Sequence, residues 1–254
     1  MPHFDRGPLP PDLLVVGMAL YDGDLKIPAQ FLVPPTRVGN TVSEVLAREG
    51  VRQAAIAETQ KYGHVTYFWN GNRSDKFDSA LEDYTEIPSD RVPFEQRPWM
   101  KSAETADAIL DSIATSSYGF IRANFAAGDM VGHTGDLTAS IVAVEGLDIS
   151  LRRVAEGVAA AGGTLVITAD HGNCEVMYET DKQGVTLLDT EGQPVPKKSH
   201  TLSPVPFIVI DSLGRRLTLA ELPGAGLANV AATLLTLLGI EVPSDYEPSL
   251  VALG

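Results

Sequence analysis

Residues 166–173 read VITADHGN. Three β-branched residues (Val166, Ile167 and Thr168) and Ala169 run into an acid, Asp170, and an imidazole, His171; a glycine and an asparagine follow. β-Branched side chains suit a pleated, packed surface, so the stretch from Thr164 predicts a strand. Adjacent side chains of a regular strand point to opposite faces. Asp170 and His171 therefore serve one site only if the strand has already ended, and Gly172 permits the turn that ends it. The strand is then a rigid mount that delivers an Asp-His pair at its tip.

The pattern around this strand fixes the class. Asn40 or Thr41 as a cap and Gly50 as a stop predict a helix over 40–50. Strands are expected at 53–59, at 64–72 (HVTYFWNGN, ending in an Asn-Gly turn) and at 118–125. Helical periodicity marks 102–117, 137–163, closed by Gly-Gly, and 227–239, closed by Gly239. A further strand is expected at 204–211, and PLPP at 8–11 reads as an extended entry. The polar stretch 73–100 reads as a long surface excursion. Strands alternating with helices of this length predict an α/β domain over 1–254, with a mostly parallel sheet and helices on both faces. In such sheets ligands gather outside the carboxyl ends of the strands.

Composition narrows the partners. The chain has 254 residues and a formal net charge of -14, which argues against a nucleic-acid backbone as partner. It leaves room for a small anionic substrate, above all beside a bound cation. The one cysteine, Cys174, excludes a disulfide within the chain and suits a reducing compartment. The first 23 residues lack the basic and long apolar regions of a signal peptide, and no apolar run is long enough to span a bilayer. A cytoplasmic protein without a membrane partner is expected.

The residues able to do chemistry cluster where the sheet rule puts them. AAGDMVGHTGD, after the strand at 118–125, carries Asp129 and His133 four residues apart. Asp170 and His171 follow the strand at 164–168. KKSHTLSP, before the strand at 204–211, carries His200. Carboxylate and imidazole together are ligands for Zn²⁺, Mn²⁺ or Fe²⁺, and i, i+4 spacing lets one turn of chain present two of them. Each residue alone has a bland reading, Asp129 as a turn cap and His200 as a surface histidine, but five in three connected segments point to a metal site. His64 opens a strand and reads as structural; His3 lies in the extended N-terminus.

TADHGN and GDMVGHTG together resemble the C-terminal portion of the metal-binding domain of cofactor-independent phosphoglycerate mutases, of the alkaline phosphatase superfamily. GMALYDGDLKIPAQFLVPP, ETQKYGHVTYFWNGNR, IPSDRVPFEQRPWM and HTLSPVPFIVID are similar to the same family, in the same order. The resemblance implies interconversion of 3-phosphoglycerate and 2-phosphoglycerate through a phosphoserine enzyme. It implies two divalent ions, Mn²⁺ first and Co²⁺, Zn²⁺ or Mg²⁺ as alternatives, with no organic cofactor. Asp129, His133 and His200 would hold one ion, Asp170 and His171 the other, and Lys61 would contact the substrate phosphate. Asp22-Gly23 matches the family's return segment to the metal domain.

The same resemblance implies what to expect of this chain alone. The family's N-terminal strand, its Asn-Ser-Glu-Val-Gly-His nucleophile segment and its arginine-bearing transferase domain have no counterpart in these residues. Ser199 and Thr134 are hydroxyls beside expected ligands. The expectation is a partial metal domain with its nucleophile absent and an open sheet edge that favours self-association. The competing expectations are a non-catalytic metal-binding remnant and a metal-dependent phosphohydrolase.

Overall fold

The computed structural model describes residues 7–8, 12–20, 27–34, 36 and 38–254. In chain order its elements are β1 (Val16–Ala19), β2 (Gln30–Val33), α1 (Val42–Arg48), β3 (Gln53–Glu58), β4 (Glu82–Ile87), α2 (Ser102–Ala114), β5 (Phe120–Asn124), α3 (Ala127–Gly132), α4 (Leu137–Ala160), β6 (Thr164–Thr168), β7 (Phe207–Asp211), β8 (Leu217–Leu219), α5 (Val230–Leu238) and β9 (Val251–Leu253). His3, residues 9–11 of the expected entry segment and Asp22-Gly23 lie outside the described residues.

β3 is the central strand. All six of its residues are buried. It pairs in parallel with β4 from Gln53↔Glu82 to Glu58↔Ile87, and with β5 from Gln53↔Phe120 to Ala57↔Asn124. A strand buried on both faces loses its polar alternation, and QAAIAE shows this, with Ala-Ala-Ile-Ala enclosed by two polar ends. Gln53 is satisfied in place: its amide donates to the Ser43 carbonyl (2.9 Å) and its oxygen accepts from Arg122 (3.2 Å).

Helices cover both faces. Successive residues of a strand face opposite ways, and on β5 Phe120 joins a cluster with Val42, Val45 and Leu46 of α1 and Leu235 of α5. Its neighbour Ile121 joins Ala106 and Ile109 of α2, Val154 of α4, Ile56 and Leu165. An α/β fold with parallel pairing and two helix layers is thus present.

The strands do not form one continuous sheet among the described residues. β6 pairs with β7 in antiparallel register, Thr164↔Asp211 to Thr168↔Phe207, and β8 pairs antiparallel with β9. β5 and β6 are joined through the helices that Ile121 and Leu165 share, not through a ladder. β1 and β2 form a separate parallel pair, in which Val16, Met18, Phe31, Leu32 and Val33 are exposed.

Two expectations are corrected. Residues 64–72 are not a strand: β3 runs into a 3₁₀ turn, Thr59–Lys61, and then a π-helical turn, His64–Phe68. Valine, threonine, tyrosine and phenylalanine carry strand propensity, but that preference yields to context. Here the Val65 carbonyl is held by Arg122 (2.8 Å), and the Thr66 hydroxyl donates back to the Tyr62 carbonyl (2.8 Å). The excursion 73–100 is interrupted by β4, whose acids disguise it. Glu82 is fully buried 3.9 Å from Arg122, Asp83 meets Arg52 at 2.8 Å, and Glu86 accepts from Thr59 at 2.7 Å.

Candidate metal centre

Three connections bring the predicted residues together. Two residues after β5 the chain enters α3, with Asp129 in its first turn and His133 just beyond its end. Ala127 and Val131 bury the opposite side of α3 against Met100, Ala139 and Ala143, which turns the Asp129–His133 side to the site. β6 ends at Thr168, and Asp170 and His171 follow. Gly172 pairs with Thr201 in an antiparallel bridge, the Thr201 N–H donating to the Gly172 carbonyl at 2.9 Å. That bridge places His200 beside His171. Between the two strands of the bridge, residues 176–197 form a narrow ribbon that turns at Gly184 and Gly192, with further bridges Tyr178↔Pro196, Thr180↔Thr186 and Leu188↔Pro194.

Asp129, His133 and His200 converge on one point. Asp129 Oδ1 lies 3.1 Å from Nε2 of His133 and 3.1 Å from Nε2 of His200, and the two Nε2 atoms are 3.0 Å apart. Nδ1 of His133 is 2.8 Å from the Lys198 carbonyl. A carbonyl can only accept, so Nδ1 carries a hydrogen, and in the neutral form of the ring this turns the Nε2 lone pair toward Asp129 and His200. Acceptors crowded this way repel unless a cation lies among them. Two neighbouring donors of an octahedral ion, each ~2.1 Å from it, are roughly 3.0 Å apart, close to the spacing found here. The donor set fits a divalent ion.

His171 adjoins this triad. Its ring stacks on that of His200, centroids 3.5 Å apart and planes 18° apart. One donor atom each from Asp129, His171 and His200 lies within 4.8 Å of the others. Asp170 is the outlier: its carboxylate is 3.5 Å from Nε2 of its own neighbour His171, and its side chain is 60% exposed.

Lys61 ends the 3₁₀ turn after β3 and donates to Oδ2 of Asp129; the two side chains are 8% and 14% exposed. The Asn173 amide donates to Oδ1 of Asp129 (2.7 Å) and to its backbone carbonyl (3.1 Å). Burial pushes the Asp129 carboxyl up, but the hydrogen bonds from Lys61 and Asn173 outweigh it and bring the group down to about 2. It is a fixed anion. His64, taken from sequence as structural, lies close enough to feel Lys61, Asp170, Asp129 and His171. Burial first, and Lys61 next, lower its pKa.

Asn173 and Glu175 are residues that sequence reasoning passed over. Asn173 directly follows the His-Gly pair, where an asparagine reads as turn chemistry; nothing in the spacing marks Glu175. Of the two hydroxyls expected beside ligands, Thr134 donates to the Val131 carbonyl (2.6 Å); Thr201, on the other side of His200 from Ser199, donates to Glu175.

The family profile described as Metalloenzyme superfamily matches residues 10–242. The chain is 52% identical over 243 residues to the 2,3-bisphosphoglycerate-independent phosphoglycerate mutase of Trypanosoma brucei brucei, which covers 95% of this chain and 44% of that protein. It is 46% identical over 252 residues to the probable 2,3-bisphosphoglycerate-independent phosphoglycerate mutase 2 of Arabidopsis thaliana, covering 98% of this chain and 45% of that protein. A solved structure described as Leishmania mexicana phosphoglycerate mutase at low cobalt concentration superposes with a TM-score of 0.90 at 48% identity, over 94% of this chain and 44% of that one. The chain spans somewhat under half the length of the curated relatives it matches.

Proposed function

We propose that this chain, which belongs to the Metalloenzyme superfamily, is the metal-holding part of a phosphoglycerate mutase that interconverts 3-phosphoglycerate and 2-phosphoglycerate in the cytoplasm. The observation that carries this reading is the convergence of Asp129, His133 and His200 at 3.0–3.1 Å, in a chain whose curated relatives are named as mutases of this kind.

Asp129, His133 and His200 hold one divalent ion, Mn²⁺ in the first instance, and Asp170 and His171 contribute to a second. Bound divalent ions would offset the charge of a phosphoryl group and lower the pKa of an attacking hydroxyl. Asp129 stays ionised at any physiological pH, so it holds a cation without a competing proton. The Lys198 carbonyl fixes the His133 tautomer that points Nε2 inward. Lys61, a compact buried cation paired with Asp129 in the same cluster, positions the phosphate of the substrate.

A phosphoserine mechanism needs a serine placed in line with the phosphoryl group. Thr134, a hydroxyl next to an expected ligand, donates to the Val131 carbonyl instead. This favours a centre that works with a nucleophile supplied by the further length the relatives carry, over a self-sufficient phosphohydrolase.

Two measurements test the reading. Calorimetric titration with Mn²⁺ should show binding that His133→Ala abolishes; a wild-type chain that binds no Mn²⁺ refutes the centre. A chimera with this chain in place of the matching part of the Trypanosoma brucei brucei relative should convert 3-phosphoglycerate to 2-phosphoglycerate in a coupled assay. A chimera that binds Mn²⁺ but shows no turnover refutes the mutase reading and leaves the metal centre standing.

A further inference from the structure

Four consecutive residues, Gly172-Asn173-Cys174-Glu175, each reach a different part of the centre. Gly172 bridges Thr201 through the backbone. Asn173 holds Asp129 by both its carboxylate and its carbonyl. The Cys174 thiol donates to the Gly128 carbonyl, one residue before Asp129, at 2.7 Å. Glu175 accepts from the Asn173 N–H at 2.6 Å through Oε2 and from the Thr201 hydroxyl through Oε1.

The geometry points to this tetrapeptide, closed by Glu175 on Thr201, as the device that holds the three ligand-bearing segments in register, so that Glu175 and Thr201 are positioning residues for the metal centre. The inference rests on the metal reading above.

Among the described residues the segments share no strand ladder; beyond the tetrapeptide they are tied by the helix packing between β5 and β6 and by the Lys198 carbonyl on His133. Asp129 and His133 follow β5, and the other ligands flank the β6–β7 hairpin; β5 and β6 share no ladder. His200 stands 29 residues beyond His171 in the sequence, at the far foot of the ribbon, and its side chain is 46% exposed. Packing alone does not fix it. The Glu175 carboxylate grips the feet of both arms at once: one oxygen accepts from the backbone two residues after His171, the other from the residue just after His200. Two glycines make room. A Cβ on Gly172 would run into Thr201 and Glu175, and one on Gly132 would overlap the Asn173 amide.

Groups that orient metal ligands without touching the ion typically alter affinity ten- to a hundredfold. Co²⁺ reports both affinity and coordination geometry through its visible absorption. Glu175→Ala and Thr201→Val should each weaken Co²⁺ binding at least tenfold and change the shape of that spectrum. Thr201→Ser, which keeps the hydroxyl, should restore both. Leu235→Ala, a core truncation on α5 in a different cluster, should lower the melting temperature with affinity and spectrum unchanged, which separates positioning from general destabilisation. Glu175 is exposed; should its alanine variant still fail to fold, Thr201→Val carries the test. Wild-type affinity and spectrum in both Glu175→Ala and Thr201→Val would overturn the inference. A wild-type chain that takes up no Co²⁺ would overturn the metal reading and this inference with it.

Discussion

The Lys61 ammonium donates to Oδ2 of Asp129 across 68 residues of sequence, and little solvent reaches either side chain. A carboxylate enclosed to this degree needs a positive neighbour, and in the metal-free chain Lys61 is that neighbour.

Removal of the ammonium should therefore cost stability in a way that a metal ion can offset. Lys61→Met is expected to destabilise the chain in EDTA by about 3 kcal/mol, the scale for breaking a buried pair at one partner. Saturating Mn²⁺ should recover most of the loss, because a bound cation takes over the neutralisation. Urea unfolding with and without Mn²⁺ measures both; equal losses in the two conditions would contradict this role of Asp129.

A second enclosed charge lies under the sheet. The Arg122 side chain is 4% exposed, donates to the Val65 carbonyl and to Gln53, and faces fully buried Glu82 at 3.9 Å. Arg122→Ala leaves Glu82 without its counter-charge and frees the carbonyl at the π-helical turn. A loss of about 3–5 kcal/mol is expected by urea unfolding, against less in the double variant Arg122→Met, Glu82→Gln, which removes both charges.

Acid should act through Asp211. Its hydrogen bonds from Arg215 and then Thr164 lower its carboxyl to about 2 from the ordinary 3.8. A group with a depressed folded pKa stabilises above its unfolded value and loses that contribution as pH falls through the folded one. The stability gap between wild type and Asp211→Asn should thus be constant above about pH 5 and shrink as pH falls toward 2. Paired unfolding curves from pH 6 to 2 isolate it, since the other carboxylates titrate alike in both proteins.

α5 ends at Gly239 with φ 72°, a left-handed cap that L side chains resist. Gly239→Ala meets no neighbour within 4 Å, so its effect is conformational alone. About 1 kcal/mol of destabilisation is expected by thermal or urea unfolding.

The parts legible in sequence are those where local chemistry and tertiary context agree. VITAD announced both the β6 strand and the pair at its end. Gly50 and Gly239 stopped helices where expected, and Asp129 and His133 stood one helical turn apart. What stayed hidden depends on partners far along the chain. EDYTEI looked like solvated loop because its acids are matched by Arg122, Arg52 and Thr59. HVTYF looked like a strand because Arg122 and the Tyr62 carbonyl, which bend it into a π turn, carry no local signature. The antiparallel return of β7 and the grip of Glu175 on Thr201 belong to the same class, since each is a contact between segments more than twenty residues apart.

The ribbon at 176–197 has one more consequence. Its feet are stapled at Gly172 and Thr201, which sets its far turns apart from the imidazole of His200. Val185 and Leu188 near its tip are exposed, and a Cβ built on Gly184 or Gly192 at its turns would meet nothing within 4 Å. Such a tip suits insertion: an epitope or a fluorophore-labelling peptide spliced in at Gly192, eight residues before His200 on the chain, is expected to leave the metal centre's geometry intact.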